Sequence, residues 1–230
     1  MPYDVIIPAR DEAPTIAAVV RAARAARGVG RVIVVDDHSS DDTAAVARAA
    51  GAEVLSSRGN GNKALALATG VDATSSEVLL FFDADISGAE PLHFERLAAP
   101  VSDGFAMSLG LIDYGRWRNA IYARLPPITG LRAVRRSVFD AVVPEKRNGF
   151  QIEIMINEVV ARGSMRTAIQ TLAGTGHRSK IAKLGMRRGV RAHWAMTLEL
   201  LHCLTFVPLW TYVSYLRHLT VLHPNRSAAT

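Results

Sequence analysis

RVIVVDDHSSDDTAAVARAAG, residues 31–51, is the stretch that decides the fold: a run rich in valine and isoleucine ends in acidic and hydroxyl residues, and an alanine-rich segment follows. The first part is typical of a strand buried on both faces, and the second has helical spacing. The strand pattern recurs in DVIIPA (4–9), AEVLSS (52–57) and EVLLFFD (77–83). Helical patterns fill the other intervals, in APTIAAVVRAARAAR (13–27) and KALALATGVDAT (63–74). This alternation predicts an α/β fold with a mostly parallel open sheet flanked by helices.

The carboxyl ends of the predicted strands are the place to search for a site, because open parallel sheets bind ligands beyond those ends. Four successive strands run into polar or charged residues there: Arg10-Asp11-Glu12, Asp36-Asp37-His38-Ser39-Ser40, SRGNGNK (57–63) and Asp83-Ala84-Asp85. Asp41 and Asp42 are interpreted differently, as residues of the first turn of the next helix, where the dipole favours anions. The sequence therefore predicts one polar edge to which four strands contribute.

Asp83 and Asp85 carry the most specific chemistry of this edge. Residues i and i+2 of an extended segment share a face, so the two carboxylates converge and repel each other unless a cation lies between them. Carboxylate oxygens suit Mg²⁺ or Mn²⁺, and Mg²⁺ is commonly bound by carboxylates together with substrate phosphates. An Asp-x-Asp pair alone also occurs at solvated turns, so the metal site is predicted from the pair and its neighbours together.

Composition narrows the function classes. The chain has 230 residues, a net charge of +6 and a single cysteine, Cys203, which excludes an internal disulfide framework and thiolate zinc sites. We expect no secretory signal at the amino terminus and a reducing cytosolic setting. The basic surplus favours anionic partners, and its densest cluster comprises Arg178, Lys180, Lys183, Arg187, Arg188 and Arg191. No zinc-finger, RNP or helix-turn-helix signature accompanies this cluster, so nucleic acid is not an expected partner.

In combination, the ordered segments resemble the nucleotide-sugar-dependent glycosyltransferases of the GT-A fold, especially the family-2 type. The first half carries the resemblance in VIIPARDEAPTI (5–16), VIVVDDHSSDDTAAVA (32–47), GNGNKALALATG (59–70) and VLLFFDADI (78–86). The second half adds GLRAVRRSVFD (130–140), NGFQIEIMINEVVARG (148–163) and GHRSKIAKLG (176–185). The chain is most similar to polyprenyl-phosphate sugar synthases and glucosyl-3-phosphoglycerate synthases. The resemblance implies a Rossmann-like GT-A domain and a sugar-transferring enzyme.

The resemblance assigns the donor side of the site residue by residue. Nucleotide-binding positions of the family fall on Pro8, Arg10, Glu12, Asp36, Asp37, Lys63, Asp83 and Ala84. Asp37 matches the acid that contacts the base, and Lys63 matches a lysine that reaches the nucleotide after a glycine-containing loop. Relatives tend to have glycine-lysine-glycine in that loop, where this chain has GNGNK (59–63).

The resemblance also implies how metal, sugar and acceptor are held. The family's metal ligands fall on Asp83, Asp85 and His177, and the implied cofactor is Mn²⁺ or Mg²⁺. Asp85 and Glu153 are the implied catalytic residues, and Glu153 lies in a GF-x-x-E-I pattern instead of an acid pair. An acceptor that is already an ionised phosphate needs no general base. Acceptor and sugar contacts fall on Thr129, Gly130, Arg132 and Arg135, and arginine forks suit phosphate.

These observations predict a metal-dependent glycosyltransferase. It would move a sugar from a UDP- or GDP-sugar to a phosphate-bearing or hydroxyl acceptor, either a polyprenyl phosphate or a small phosphorylated metabolite. A receiver-like signalling module is an alternative, since VIVVDDHS followed by Asp83 imitates its acid pair and phosphoacceptor, but no lysine lies in the expected region after Ser108. A nucleotidyltransferase of similar architecture is another, although PARDEAPT (8–15) lacks its glycine-rich loop. Without G-x-G-x-x-G, a dinucleotide-binding oxidoreductase is disfavoured.

Residues 193–230 form a predicted apolar helical tail behind a glycosyltransferase domain of residues 1–192. Between Glu199 and Arg217 there is no Asp, Glu, Lys or Arg, and this stretch is at the short limit of the ~17–25 residues that span a bilayer. Pro208 predicts a kinked or interrupted helix. Packing on the domain, packing in a homodimer and contact with a membrane interface all remain open. The expected location is cytoplasmic, either free or peripheral on the inner face of the membrane.

Overall fold

The structure, a computed structural model, describes residues 1–123, 129–142, 151–177 and 209–222. The strands in these ranges are β1 (Tyr3–Ala9), β2 (Val29–Asp36), β3 (Glu53–Ser56), β4 (Val78–Phe81), β5 (Ile86–Ser87), β6 (Met107–Ile112), β7 (Arg132–Arg135), β8 (Thr167–Leu172), β9 (Gly176–His177) and β10 (Leu219–Leu222). The helices are α1 (Ala13–Ala25), α2 (Thr43–Ala49), α3 (Lys63–Asp72), α4 (Pro91–Ser102), α5 (Arg116–Tyr122), α6 (Arg136–Asp140), α7 (Gln151–Arg162) and α8 (Leu209–Arg217). The predicted strands and helices of the first half are confirmed.

One large sheet organises the described residues, with the strand order β10-β8-β6-β7-β4-β1-β2-β3. Neighbouring strands run parallel except at β7, which is antiparallel to both β4 and β6. The prediction of a mostly parallel α/β sheet is therefore confirmed, and the carboxyl ends of β1, β2, β3 and β4 share one edge.

Apolar side chains cover both faces of the central strands, because successive residues of a strand point to opposite faces. On β1, Val5 and Ile7 belong to one core and Ile6 belongs to the other, and all three are fully buried. Residues of α1, α2 and α4 complete the first core, while residues of α3, α6 and α7 complete the second. Burial on both faces explains why these strands are continuous apolar runs.

The loops after β1 and β2 are tied to each other. Asp11 and His38 have φ values of 55° and 59°, in the left-handed region that few residues other than glycine adopt. Asp11 Oδ1 accepts the Ser40 N–H at 2.7 Å, and the Asp11 N–H is donated to Ser39 Oγ at 3.0 Å. Two strand-end loops that are distant in sequence thus form one unit at the polar edge.

Asp41 and Asp42 lie just before α2, which begins at Thr43, and not in the first turn where the sequence predicts them. Asp41 Oδ1 accepts the Thr43 N–H at 2.9 Å, and Oδ2 accepts the Ala13 N–H at 3.1 Å. Burial acts to raise the pKa of Asp41, but the hydrogen bonds from Thr43 and Ala13 outweigh it and lower this pKa. Asp41 therefore bridges the starts of α1 and α2.

A short antiparallel pair, β5 and β9, lies beyond the end of β4. Its register places Ile86 opposite His177, and Ile86 directly follows Asp85. Asp113, just after β6, anchors the turn that leads into β9, because its Oδ2 accepts the Gly174 N–H at 3.3 Å. The backbone of His177 is in this way held beside the end of the Asp-x-Asp segment.

Part of the predicted tail belongs to the main sheet. β10 pairs in parallel with β8, with Leu219 opposite Thr167. Ahead of it, α8 packs on α7, where Ser214 Oγ donates to Ala161 O at 2.8 Å and Tyr215 is buried. In the described ranges, no helix combines the length and the apolar character needed to cross a membrane. The predicted boundary at residue 192 and the stretch 193–208 lie outside the described residues.

Candidate active site

Lys63 lies at the polar edge and joins two acidic residues that are far apart in sequence. Asn62 caps α3 by accepting the Ala64 N–H at 3.0 Å, so Lys63 is the first residue of the helix. Lys63 Nζ is 2.8 Å from Asp83 Oδ1 and 2.9 Å from Glu153 Oε1. Asp83 follows β4, and Glu153 lies in the first turn of α7. Three residues predicted from different motifs therefore meet.

This ion group is largely shielded from water. The Lys63 and Glu153 side chains are 18% and 5% exposed. Burial alone would lower the pKa of Lys63, but the negative charges of Asp83 and Glu153 and the hydrogen bonds to them raise it above its ordinary value. Lys63 therefore remains a cation at neutral pH. Glu153 Oε2 is buried without a hydrogen-bond partner among the described residues, and a ligand donor can satisfy such an oxygen.

The loop before β7 forms a wall against Asp83. A Cβ at Gly130 would lie 2.3 Å from Asp83 Oδ1 and 2.4 Å from Oδ2, so a larger residue would displace the carboxylate. Thr129 anchors the loop, because its Oγ1 donates to Gly110 O at 2.9 Å and accepts the Leu131 N–H at 3.1 Å. The structure thus brings the predicted residues Thr129 and Gly130 to this edge.

Arg132 lies behind this wall and is only 1% exposed. Its guanidinium donates to Thr129 O at 2.6 and 3.0 Å, to Glu153 O at 3.1 Å and to Asn157 Oδ1 at 3.2 Å. Burial lowers the pKa of Arg132, while nearby negative charges, that of Glu153 foremost, act in the opposite direction. The N–H groups of this guanidinium are directed at protein oxygens. The geometry therefore does not support the predicted contact of Arg132 with the acceptor.

Asp83 and Asp85 flank the buried Ala84 and are themselves half-buried. Within the part of the chain that the structure describes, no cluster of three His, Cys, Asp or Glu side chains could hold a metal ion. The side chain of His177 is outside that part, although its backbone lies opposite Ile86. Two carboxylates beside a lysine fit a Mg²⁺ or Mn²⁺ ion whose other ligands come from a phosphate-bearing substrate.

Arg10 and Asp37 meet beyond the ends of β1 and β2. Arg10 Nη1 is 4.0 Å from Asp37 Oδ2, and a Cβ at Gly61 would lie 2.8 Å from the same nitrogen. Gly61 has a φ of 70°, which lets the loop before α3 turn close to Arg10. The Oδ1 atoms of Asp36 and Asp37 are buried and find no hydrogen-bond partner in the described ranges. These oxygens are suited to accept N–H groups of a ligand.

Pro8 and Glu12 shape the first loop. Pro8 lies opposite Val35 of β2 and beyond Ile6, the last residue of β1 in register with β4, so its missing N–H falls where the pairing with β4 has ended. The buried Glu12 donates its backbone N–H to Thr43 Oγ1 at 2.7 Å. Their nucleotide-binding roles stay predictions.

Arg135 is not brought to the site. Because β7 runs antiparallel to β4, Arg132 lies opposite Phe81 at the site end, and Arg135 lies opposite Val78 at the far end. Arg135 Nε donates to Phe105 O at 3.2 Å. The predicted acceptor contact of Arg135 therefore has no support in this geometry.

Two residues of this region escape sequence reasoning. Asn157 lies one turn after Glu153 on α7. This i, i+4 spacing places both residues on one face of the helix, and it is the sequence feature that connects Asn157 with the site. Asp113 accepts N–H bonds from Gly115 at 3.0 Å and Gly174 at 3.3 Å, which hold its pKa below the ordinary range. No motif marks Asp113, whose partners are the backbone N–H groups of Gly115 and Gly174 and the side-chain amide of Asn119.

Comparison with known families agrees with this geometry. The model of the glycosyl transferase family 2 matches residues 4–159, from β1 into α7. The chain belongs to glycosyl transferase family 2. Among similar proteins, an uncharacterized glycosyltransferase of Mycobacterium bovis is 29% identical, in an alignment that covers 80% of this chain and 91% of the relative. An uncharacterized glycosyltransferase of Mycobacterium tuberculosis H37Rv gives the same values.

Solved structures of similar glycosyltransferases include glucosyl-3-phosphoglycerate synthase of Mycobacterium tuberculosis. Its complex with phosphoglyceric acid has a TM-score of 0.65 and 27% identity, covering 77% of this chain and 72% of that one. Its complex with Mg²⁺ and UDP has the same score and identity, with 77% and 71% covered. A complex with Mn²⁺, UDP-glucose and phosphoglyceric acid scores 0.63 at 26% identity, with 77% and 71% covered. The predicted GT-A fold and the glycosyltransferase class are confirmed.

Proposed function

We propose that this family-2 glycosyltransferase moves a sugar from a UDP-sugar to a phosphate-bearing acceptor with the help of a divalent cation. The observation that carries the proposal is the contact of Lys63 with Asp83 and Glu153 at the carboxyl edge of the sheet. A cation beside an Asp-x-Asp pair suits a diphosphate, and a buried acid across from it suits the sugar or acceptor.

The donor base would lie at the ends of β1 and β2. Asp36 and Asp37 offer buried carboxylate oxygens that find no partner in the described part of the chain, and both uracil and guanine have N–H donors for them. Arg10 and Lys63 add positive charge for the diphosphate. Uracil is favoured because the similar glucosyl-3-phosphoglycerate synthase binds UDP and UDP-glucose.

Asp83 and Asp85 would hold a Mn²⁺ or Mg²⁺ ion together with the donor diphosphate. Bound there, the ion supplies Lewis-acid stabilisation of the departing nucleoside diphosphate. The similar synthase binds both metals. His177 remains a proposed third ligand, and the β5–β9 register supports it by placing its backbone beside the end of the Asp-x-Asp segment.

The reaction breaks the bond between the anomeric carbon and the diphosphate oxygen and forms one to an acceptor oxygen. Lys63 is placed to balance charge on the diphosphate side, and Glu153 is placed to orient the sugar or acceptor. A hydroxyl acceptor must lose a proton, and Glu153 Oε2 is an available oxygen for it. An ionised phosphate oxygen needs no such base.

A small phosphorylated acid is the first candidate acceptor for this chain, because the similar synthase binds phosphoglyceric acid. A polyprenyl phosphate is a second candidate, because the helix that follows β6, α5, exposes apolar side chains that could contact a lipid chain. Trp117 on α5 is 85% exposed and Ile121 is 61% exposed. Tyr114 joins this surface just before α5, because its ring lies edge-on to that of Tyr122 with the centroids 5.7 Å apart. Peripheral membrane contact and a homodimer stay predictions.

Calorimetric titration with UDP and with GDP, each with and without Mn²⁺, tests the donor. We expect UDP to bind only in the presence of metal. If neither UDP nor GDP binds, the proposal is contradicted. Transfer from labelled UDP-glucose to phosphoglycerate or to a short polyprenyl phosphate then tests the acceptor. Label in the water-soluble acceptor supports the first candidate, and label in the organic phase supports the second.

A further inference from the structure

Arg132 connects two walls of the active site through hydrogen bonds to backbone and amide oxygens, one of which is the carbonyl of Glu153. Its guanidinium donates twice to Thr129 O, in the loop before β7, and through Nη1 to Glu153 O and Asn157 Oδ1 on α7. The two partners on α7 are distant from Arg132 in sequence, at separations of 21 residues for Glu153 and 25 residues for Asn157. A planar fork is needed to reach both walls at once.

On the first wall, Arg132 fixes the carbonyl of the residue that precedes Gly130. The Thr129 hydroxyl is bound to Gly110 O, and its carbonyl to Arg132, so the residue is held at both ends. Gly130 in turn leaves no room for a side chain beside the Asp83 carboxylate, since an added Cβ would lie 2.3 Å from Oδ1. Movement of the Thr129 carbonyl would therefore alter the surroundings of Asp83.

On the second wall, Arg132 fixes the first turns of α7. The Glu153 carbonyl and the Asn157 side chain receive the two N–H groups of one guanidinium nitrogen. Glu153 bears on its side chain the oxygen that contacts Lys63 at 2.9 Å. The orientation of α7 at this point decides whether that oxygen reaches Lys63.

Charge adds to the geometry. Lys63 and Arg132 balance Asp83 and Glu153; Arg132 and Glu153 are buried, and the side chains of Lys63 and Asp83 are half-buried. Replacement of Arg132 leaves the carbonyl and amide oxygens that it binds unpaired. A neutral replacement also removes a positive charge that balances Asp83 and Glu153, whereas lysine keeps this charge.

We infer that Arg132 is a positioning residue, which sets the loop of Thr129 and Gly130 against Asp83 and sets Glu153 on Lys63 by holding both walls. This assignment differs from the predicted acceptor contact. It rests on the proposed function for its effect on turnover, and its effect on the two walls is independent of that function.

The test uses Arg132→Lys and Arg132→Met in the full chain, with Arg136→Lys as the matched control. Arg136 also donates to backbone carbonyls, those of Ser76 at 2.9 Å and Thr74 at 2.7 Å, but it follows β7 at the end of the sheet away from the site. Amide hydrogen exchange, UDP affinity with Mn²⁺, and turnover of UDP-glucose with phosphoglycerate are measured for each variant.

In both Arg132 variants we expect amides of residues 130–131 and of the first turns of α7 to exchange at least about 10-fold faster. Turnover should fall about 100-fold, because a misplacement of ~1 Å has that effect, while the KM for UDP-glucose stays within about 3-fold. Arg132→Lys should retain more turnover than Arg132→Met because it keeps the charge. Arg136→Lys should leave these amides and turnover unchanged.

Unchanged exchange in both walls, or turnover of Arg132→Lys within about 3-fold of the parent, would overturn the inference. Should the Arg132 variants fail to fold, Asn157→Ala decides, since we expect it to loosen α7 and to spare the Gly130 amide. Failure of the proposed function is a separate result: the parent protein would then not bind UDP with Mn²⁺, and the exchange data would still decide on Arg132.

Discussion

Two regions of the same sheet edge are built in opposite ways. The donor half consists of the loops after β1, β2 and β4, and its candidate residues follow strands that all arrive in one direction. The acceptor half consists of residues 129–132 and α7, where β7 begins at the edge and leaves it. In the donor half the last residue of a strand marks the site, whereas in β7 the first residue does. Strand direction therefore decides which end of a motif reaches the ligand.

The two halves also differ in how their side chains are held. In the donor half, Asp36 and Asp37 present buried oxygens that have no partner among the described residues. In the acceptor half, Arg132 is bound to carbonyls on two elements, and Lys63 connects the halves by its contacts with Asp83 and Glu153. The donor half is thus open toward a ligand, and the acceptor half is already organised by the protein.

The largest effect should come from Asp85→Ala, which breaks the donor half alone. We expect UDP affinity in Mn²⁺ to fall at least about 100-fold, since partners that merely support a metal ligand already cost ~10–100-fold. The fold should persist, because Asp85 lies after β4 and outside the core. Calorimetry with UDP and Mn²⁺ measures the effect, with the exposed Asp42→Ala as the control. Full affinity and full turnover in Asp85→Ala would show that the Asp-x-Asp pair holds no metal.

The next effect should come from Glu153→Gln, which breaks the acceptor half and spares the donor half. We expect turnover to fall by about 100-fold, as for loss of a preorganised polar group at the reacting centre, with UDP affinity within about 3-fold. Steady-state kinetics and calorimetry separate the two. Glu158→Gln on the same helix is the control, because Glu158 pairs with Arg162 in an i, i+4 contact on the helix surface. Equal loss of UDP affinity and turnover would mean that the halves are not separable.

A smaller effect is expected for Gly130→Ala, at the point where the halves touch. The added Cβ would be 2.3 Å from an Asp83 oxygen, so the carboxylate must shift. We expect Mn²⁺-dependent UDP affinity to weaken about 10-fold. Gly163→Ala is the matched control, since the three atoms nearest its added Cβ all belong to the flexible side chain of Met165. A normal affinity for Gly130→Ala would show that this wall yields readily and does not shape the metal site.

The smallest effect should come from Asp113→Asn, which leaves both halves in place and weakens the turn before β9. The pKa of Asp113 is lowered by N–H groups of Gly115 and Gly174, so its stabilisation is present above the unfolded pKa of ~3.9 and is lost as the pH falls through the folded pKa. Because the carboxylate is exposed, we expect less than about 1 kcal/mol at neutral pH. Thermal unfolding at pH 7 and near pH 3 measures it, and a difference that is as large at low pH would contradict this assignment.

The donor half could be predicted from the sequence because its information is local. Asp83 and Asp85 directly follow a buried apolar strand, and Asp36 and Asp37 do the same. Parallel strands then bring these ends together without further knowledge of the packing.

The acceptor half could not be predicted to the same extent, because its information is long-range. The strand RAVR (132–135) has arginine at both ends, so its pattern is nearly the same in either direction and does not reveal that only Arg132 faces the site end. The contact of Lys63 with Glu153 joins residues that are brought together only when α7 packs on the sheet. Asn157 and Asp113 bind groups that leave no motif in the sequence.

The position of β10 has a consequence for how the protein is made. β8, Thr167–Leu172, leaves the ribosome well before Leu219–Leu222, the strand that covers its outer edge. At about 5–20 residues per second, the nascent chain therefore shows an unpaired strand edge for several seconds. An unpaired strand edge can form backbone hydrogen bonds with a strand of another chain, which leads to aggregation. Production yield should consequently depend on how quickly this last pairing forms, even though β10 lies far from the residues that carry the chemistry.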